Sequence, residues 1–284
     1  MLVTLPDTDR FDVVSRAGNP YRIFLSLPRE KAGSQGYPVL YLLDGNVTFP
    51  SAAVSLALQM RRPESTGISP AAVVGIGYPT DDYLDAAART RDYTVALAAD
   101  ELPQRRDGAP WPATGGADAF LDFIIDEVKP LIAQRLHVDQ NRQALFGHSF
   151  GGFFVLHALF SKPAAFRSYI AASPSIWYGR HALDRELMAF CESYEEGALP
   201  RRLLLTVGGD EQLDAPQPFG EGRVLSHLKK QTRMVGNARE AAAQIARAAG
   251  AAVNVSFTEF ENENHASVLP ASITRALRFA LGRS

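Results

Sequence analysis

The sequence predicts an α/β architecture, with a mostly parallel central sheet, helices on both faces and an N-terminal antiparallel strand pair. Short apolar runs alternate with helical patterns along the 284 residues, which implies strand–helix–strand crossovers. Several runs are apolar at successive positions, as strands covered on both faces are. The first two runs are joined by a short loop, "SRAGNP", which suits an antiparallel return.

"FDVV" (11–14) and "YRIFLSLP" (21–28) form the predicted pair. "PVLYLLDG" (38–45) and "AAVVGIGYP" (71–79) read as buried strands, the first ending in Asp-Gly. "QALFGHS" (143–149), "SYIAASPS" (168–175), "RLLLTVGGD" (202–210) and "VNVSFTEF" (253–260) complete the series. Helical patterns cover 117–134, 152–161, 181–195, 237–249 and 270–281. Asn237 with Glu240 suits a capping box opening the fourth of these. Pro270 suits the first turn of the last, with Ile273, Leu277 and Leu281 on one face. Residues 80–116 and 211–236 are poor in regular pattern and follow strand ends, so they are candidate rim or lid segments of one domain spanning 1–284.

Composition removes several function classes. A net charge of −2 gives no basic field for nucleic acid or an anionic membrane. The one cysteine, Cys191, cannot build a disulfide framework or a cysteine zinc site. No long uninterrupted apolar segment and no leader-like N-terminus is present, so a cytoplasmic location is expected. "GIGYPT" (75–80) lacks the third glycine of a dinucleotide fingerprint, and no lysine follows a Gly-rich turn as phosphate binding requires.

Gly147-His148-Ser149-Phe150-Gly151 is G-x-S-x-G between a predicted strand and a predicted helix, the context of a nucleophile elbow. A strand turning directly into a helix strains the corner residue. Glycines two positions either side remove Cβ atoms that would collide, and the hydroxyl projects above the sheet beside free helix N–H groups. A serine hydroxyl needs a base. Of six histidines, His265 alone lies in a polar loop directly after the last strand and C-terminal to the serine. That is the chain order of α/β-hydrolases. His148 is expected to pack against neighbours with its side chain pointing elsewhere at the sharp turn, and His157 to be a satisfied residue of the following helix. The acid should follow the strand between them, where "LLLTVGGDEQ" offers Asp210 or Glu211, with Glu263 a weaker third candidate. An oxyanion would need N–H donors. The amide of Phe150 is one, and the turn after "YLLDG" supplies Gly45, whose missing Cβ would let a substrate approach.

With these residues in place, the chain resembles an esterase family of α/β-hydrolases, and within it the siderophore esterases that open the trilactones of enterobactin, salmochelin or bacillibactin. The resemblance runs through "PVLYLLDGN", "VVGIGYP", "RTRDYT", "GHSFGGFF", "AASPSIWY", "VGGDEQ" and "ENHASVLP". It implies the α/β-hydrolase fold, Ser149 as nucleophile, His265 as base and no metal or organic cofactor. It favours Glu211 over Asp210 as the acid, while leaving open a Ser–His dyad without one. It also makes Arg89, Arg91, Trp177 and Tyr178 candidates for holding an anionic, catecholate-bearing ester. Arg223, Lys229, Lys230 and Arg233 in the second rim segment would assist, with Glu221 opposing them. The partner expected is a small-molecule ester; the oligomeric state is not legible. An acyltransferase of the same fold, or a binding protein that kept the fold without the chemistry, are the alternative readings.

Overall fold

The computed structural model describes residues 4–105, 108–194, 199–212 and 232–282. Among the described residues eight strands form one sheet in the order β1-β2-β4-β3-β5-β6-β7-β8. They are β1 (Thr8–Val14), β2 (Pro20–Ser26), β3 (Tyr37–Leu43), β4 (Ala72–Gly77), β5 (Val138–His148), β6 (Ser168–Ala172), β7 (Arg201–Gly208) and β8 (Val253–Phe260). β1 pairs with β2, and β2 with β4, antiparallel; every other pairing is parallel. The predicted fold class and N-terminal pair are therefore observed. β4 and β6 are buried at every position, whereas β1 at one edge and β8 at the other alternate exposed and covered residues, as position in a two-sided sheet dictates.

Side chains alternate across the sheet and divide the core in two. Val39, Tyr41, Leu43, Leu145, Tyr169, Leu203 and Leu205 meet helices Phe150–Ser161, Arg180–Ser193 and Met234–Ala249. Leu40, Leu42, Phe146, Ile170 and Leu204 meet helices Gly45–Met60 and Val268–Leu281 on the other face. Among the described residues no helix is long and apolar enough to cross a membrane.

Three departures from the sequence reading have physical causes. The helix Gly45–Met60 was not expected: its buried stripe is Gly45, Thr48, Phe49, Ala52, Ala53 and Leu56, while Val54 and Leu58 point outward, which blurs the apolar period. Helix Ala86–Tyr93, inside the first rim segment, buries Thr90, Asp92 and Tyr93, a mostly polar face that hydropathy cannot reveal. Asn237 does not cap its helix, which begins three residues earlier at Met234. Its amide donates to the Thr232 carbonyl, and Glu240 pairs with Arg180 and Arg233 instead. Pro270 does stand in the first turn of Val268–Leu281. Most of the second rim segment, including Glu221, Arg223, Lys229 and Lys230, lies outside the described residues.

The predicted helix over 117–134 is one run from Ala117 to Ala133 with a π-turn at Ile124–Val128. Just after that turn, Lys129 donates to the Ala165 carbonyl at 2.7 Å and lies 4.9 Å from the centre of the Phe166 ring. Burial lowers its pKa to about 8. A lysine held below its ordinary value opposes folding while it is protonated, and that cost fades as pH rises from about 8 towards the unfolded value. Lys129→Met is therefore expected to raise the melting temperature at pH 7 and to lose this advantage by pH 10, measured by thermal unfolding at both pH values.

Candidate active site

Because β3 to β8 run parallel, their carboxyl ends share one edge of the sheet, and each chemical group occupies a turn leaving that edge. Ser149 follows β5, Ser173 follows β6, Glu211 follows β7 and His265 follows β8. This is the end at which open α/β sheets bind ligands.

Ser149 has φ 61 and ψ −118 and directly precedes the helix Phe150–Ser161, the strained corner expected of a nucleophile elbow. The steric roles of its glycines differ from the simple reading. A Cβ on Gly147 would lie 2.2 Å from the Gly151 carbonyl oxygen, and one on Gly152 would lie 2.7 Å from that of Ala172. A Cβ on Gly151 would meet nothing closer than 3.5 Å. The indispensable small residues are therefore Gly147 and Gly152.

Glu211 is buried, and its side chain has three partners. Oε1 accepts from the Ser173 hydroxyl at 2.5 Å and the Gly208 amide at 2.7 Å. Oε2 lies 2.6 Å from Nδ1 of His265, whose side chain is 45 % exposed. Of the three carboxylates the sequence offered, Glu211 is the one on the histidine; the backbone amide of Asp210 donates to the Glu263 carbonyl. The Glu211 contact leaves Nε2 of His265 as the nitrogen available to a reacting proton. The Ser149 hydroxyl lies 3.3 Å from that of Ser175 and makes no hydrogen bond to His265, a looseness common before substrate binds.

His148 does not point away from this cluster. Its ring lies 4.5 Å from that of His265, centre to centre. Its Nε2 is buried without a partner. Burial, reinforced by the charges of His265 and Arg89, holds it well below the ordinary histidine value, so it packs as a neutral ring. His157 is satisfied on one side only: Nδ1 lies 2.9 Å from Glu186, while its buried Nε2, 3.3 Å from Asp118, makes no hydrogen bond among the described residues.

Phe150 and Gly45 are the first residues of helices that start at the ends of the adjacent strands β5 and β3. First-turn amides have no partner inside the helix, so two unpaired N–H groups and two positive helix ends stand on the serine's edge of the sheet. The side of Gly45 on which a Cβ would stand is filled by β4 and not by a ligand, however. A Cβ there would come within 2.8 Å of the Gly75 and Ile76 backbone, so the packing of β4 requires this glycine.

Arg89 grips the same turn. Its guanidinium makes two 3.0 Å bonds to Asp44 and lies 5.8 Å from the centre of the Phe150 ring. Burial works against its charge, and Asp44 more than offsets that and holds Arg89 firmly protonated. Asp44 itself has φ 52, and its backbone amide donates to the Tyr93 hydroxyl oxygen at 3.0 Å. Arg91 is likewise engaged, by Asp92, which also accepts from Tyr21 and Tyr78. Neither arginine, as expected from the sequence to meet an anionic ligand, has its charge free in this arrangement. Asp44→Ala would leave a buried guanidinium uncompensated, and breaking such a pair costs about 3–5 kcal/mol. Chemical denaturation is expected to register that loss, and Asp44→Ala/Arg89→Leu together are expected to cost less than Asp44→Ala alone.

Tyr178 is buried beneath the site, edge-on to Phe150 and Phe153, so it supports the wall without forming its surface. The half-buried aromatics are Trp177, 5.9 Å from Phe150, and Trp111, 6.1 Å from Phe150 and 5.4 Å from Tyr178. Trp111 lies in the first rim segment, and nothing in its sequence neighbourhood marked it. Among the described residues no group of three His, Cys, Asp or Glu side chains could hold a metal ion.

Residues 15–212 match the family described as "Putative esterase". The chain is 41 % identical over 279 residues to the ferri-bacillibactin esterase BesA of Bacillus subtilis, covering 98 % of this chain and 91 % of that one. It is 32 % identical over 282 residues to a siderophore enterobactin esterase of Emericella nidulans, covering 95 % and 92 % of the two chains. Among solved structures, the siderophore hydrolase EstA from Aspergillus nidulans superposes with a TM-score of 0.86 at 30 % identity, covering 98 % of this chain and 97 % of that one. With the sheet, the strained Ser149 corner and these matches together, the chain belongs to the Putative esterase family and has the α/β-hydrolase fold.

Proposed function

We propose that the protein is a serine carboxylic-ester hydrolase working through an acyl-enzyme, with a siderophore ester as substrate. The carrying observation is the 2.6 Å contact between buried Glu211 and Nδ1 of His265, on the same sheet edge as the strained Ser149. Ser149 Oγ attacks the ester carbonyl while Nε2 of His265 takes its proton. Glu211 fixes the tautomer and stabilises the imidazolium. The amides of Phe150 and Gly45 receive the oxyanion. Collapse of the tetrahedral intermediate breaks the bond to the alcohol oxygen, which leaves with the proton from His265. Water, deprotonated by the same nitrogen, then releases the acid and restores Ser149.

The siderophore part of the reading is supported by the relatives, a ferri-bacillibactin esterase and a siderophore enterobactin esterase. It is also supported by the half-buried rings of Trp111, Phe150 and Trp177, which offer flat faces suited to catechol rings. A panel of apo and ferric catecholate trilactones beside short-chain aryl esters tests it. Higher kcat/KM for a trilactone is expected, with linear hydroxy acids as products. Preference for simple acetates would remove the siderophore substrate, and transfer to an added alcohol in place of hydrolysis would make the protein an acyltransferase.

A further inference from the structure

We propose that the turn Ser173-Pro174-Ser175 is a positioning bracket that reaches both ends of the triad, Ser173 holding the acid and Ser175 holding the nucleophile's corner; this rests on the triad reading above. The turn leaves β6, which lies between the nucleophile's strand β5 and the acid's strand β7. Both serines are buried, at 0 % and 3 % exposure, so neither hydroxyl is there for solvent.

On the acid side, the Ser173 hydroxyl and the Gly208 amide together occupy Oε1 of Glu211, which turns Oε2 onto His265. A buried carboxylate oxygen left without donors is costly. Without the hydroxyl, Oε1 keeps one donor, and the soft terminal torsion of a glutamate can swing Oε2 off the imidazole. Ser173 is held at φ 41, a region where glycine is the undemanding choice. Its amide is tied to the Thr206 carbonyl of β7 at 2.7 Å. A strained position occupied by serine, with its hydroxyl on the acid, points to the hydroxyl as the reason for the residue.

On the nucleophile side, the Ser175 amide donates to the Ser149 carbonyl at 3.0 Å, and its hydroxyl lies 3.3 Å from that of Ser149. Pro174 fixes the backbone between the two serines. A Cβ on Gly152 would lie 2.9 Å from Pro174 Cα, so the turn rests directly on the nucleophile's helix.

A residue that acts through Glu211 must fall silent once Glu211 is disabled. Ser173→Ala and Ser173→Gly are therefore measured with a p-nitrophenyl ester in the wild-type and Glu211→Gln backgrounds, alongside melting temperatures. In the wild-type background both variants are expected to lower kcat roughly 10–100-fold with KM little changed. The glycine variant relieves the backbone, so its loss cannot be blamed on misfolding. In the Glu211→Gln background neither is expected to lower kcat further. Full activity of Ser173→Gly, or an equal fold-loss in both backgrounds, would overturn the role of Ser173. Wild-type turnover by Glu211→Gln itself would remove the acid from the mechanism, and the bracket with it, while leaving Ser149 and His265 in place. Ser175→Ala is expected to slow both turnover and fluorophosphonate labelling of Ser149 by about 3–10-fold, equally in both backgrounds; unchanged labelling would strike Ser175 from the bracket.

Discussion

Ser149→Ala is expected to lower ester turnover by roughly 10⁵–10⁶-fold, the scale on which removing the nucleophile disables a hydrolytic triad. What survives should come from the oxyanion donors and binding alone, because the amide of Phe150 and the helix behind it do not depend on the hydroxyl. The variant should fold normally: among the described residues Ser149 Oγ has only the 3.3 Å contact to Ser175 to lose. Ser149 has φ 61, and the alanine variant is expected to keep that strained backbone. Ser149→Gly should be equally inactive and melt above Ser149→Ala, since glycine adopts that conformation without a Cβ clash. Turnover within tenfold of wild type by either variant, after exclusion of contaminating esterase, would end the acyl-enzyme mechanism.

Glu211→Gln is expected to lower kcat by about 10³–10⁴-fold with KM little altered, as loss of the carboxylate does in other triads. The geometry explains why so conservative a change should cost so much. The carboxylate accepts on both oxygens, from Ser173 and Gly208 on one and from His265 on the other. A glutamine offers one acceptor and one donor. Either its NH₂ faces the Gly208 N–H, or it faces Nδ1 of His265 and forces the wrong tautomer. A loss of less than about tenfold would mean that Ser149 and His265 work as a dyad.

The parts of the fold that were legible are those where local chemistry and tertiary position agree. β3, β4 and β6 are covered on both faces and read as unbroken apolar runs. Ser149 and the Asp210-Glu211 pair were legible because each follows an apolar run, and His265 because it lies in a polar loop directly after the alternating edge strand β8. β5 was read from residue 143, yet it begins at Val138, because Gln140 and Asn141 are polar and the pairing with β3 shifts register there. The helix Gly45–Met60 was hidden by small buried residues and outward-facing Val54 and Leu58. Asp44 and Arg89 each stood in a motif noticed on its own, but a pair 45 positions apart is a tertiary fact. It diverts to the scaffold a charge that looked available for a ligand. Ser173 was invisible for a related reason: a short polar residue after a strand reads as a turn until a carboxylate is found on its hydroxyl.

The order of the strands has a consequence for how the protein fails. The nucleophile hangs from β5, flanked by β3 and β6, while the histidine hangs from β8, an edge strand whose one neighbour in the sheet among the described residues is β7. Margins fray before interiors do. Gentle heating should therefore part the proton acceptor from an elbow that is still intact, so that inactivation precedes the loss of secondary structure and reverses on cooling.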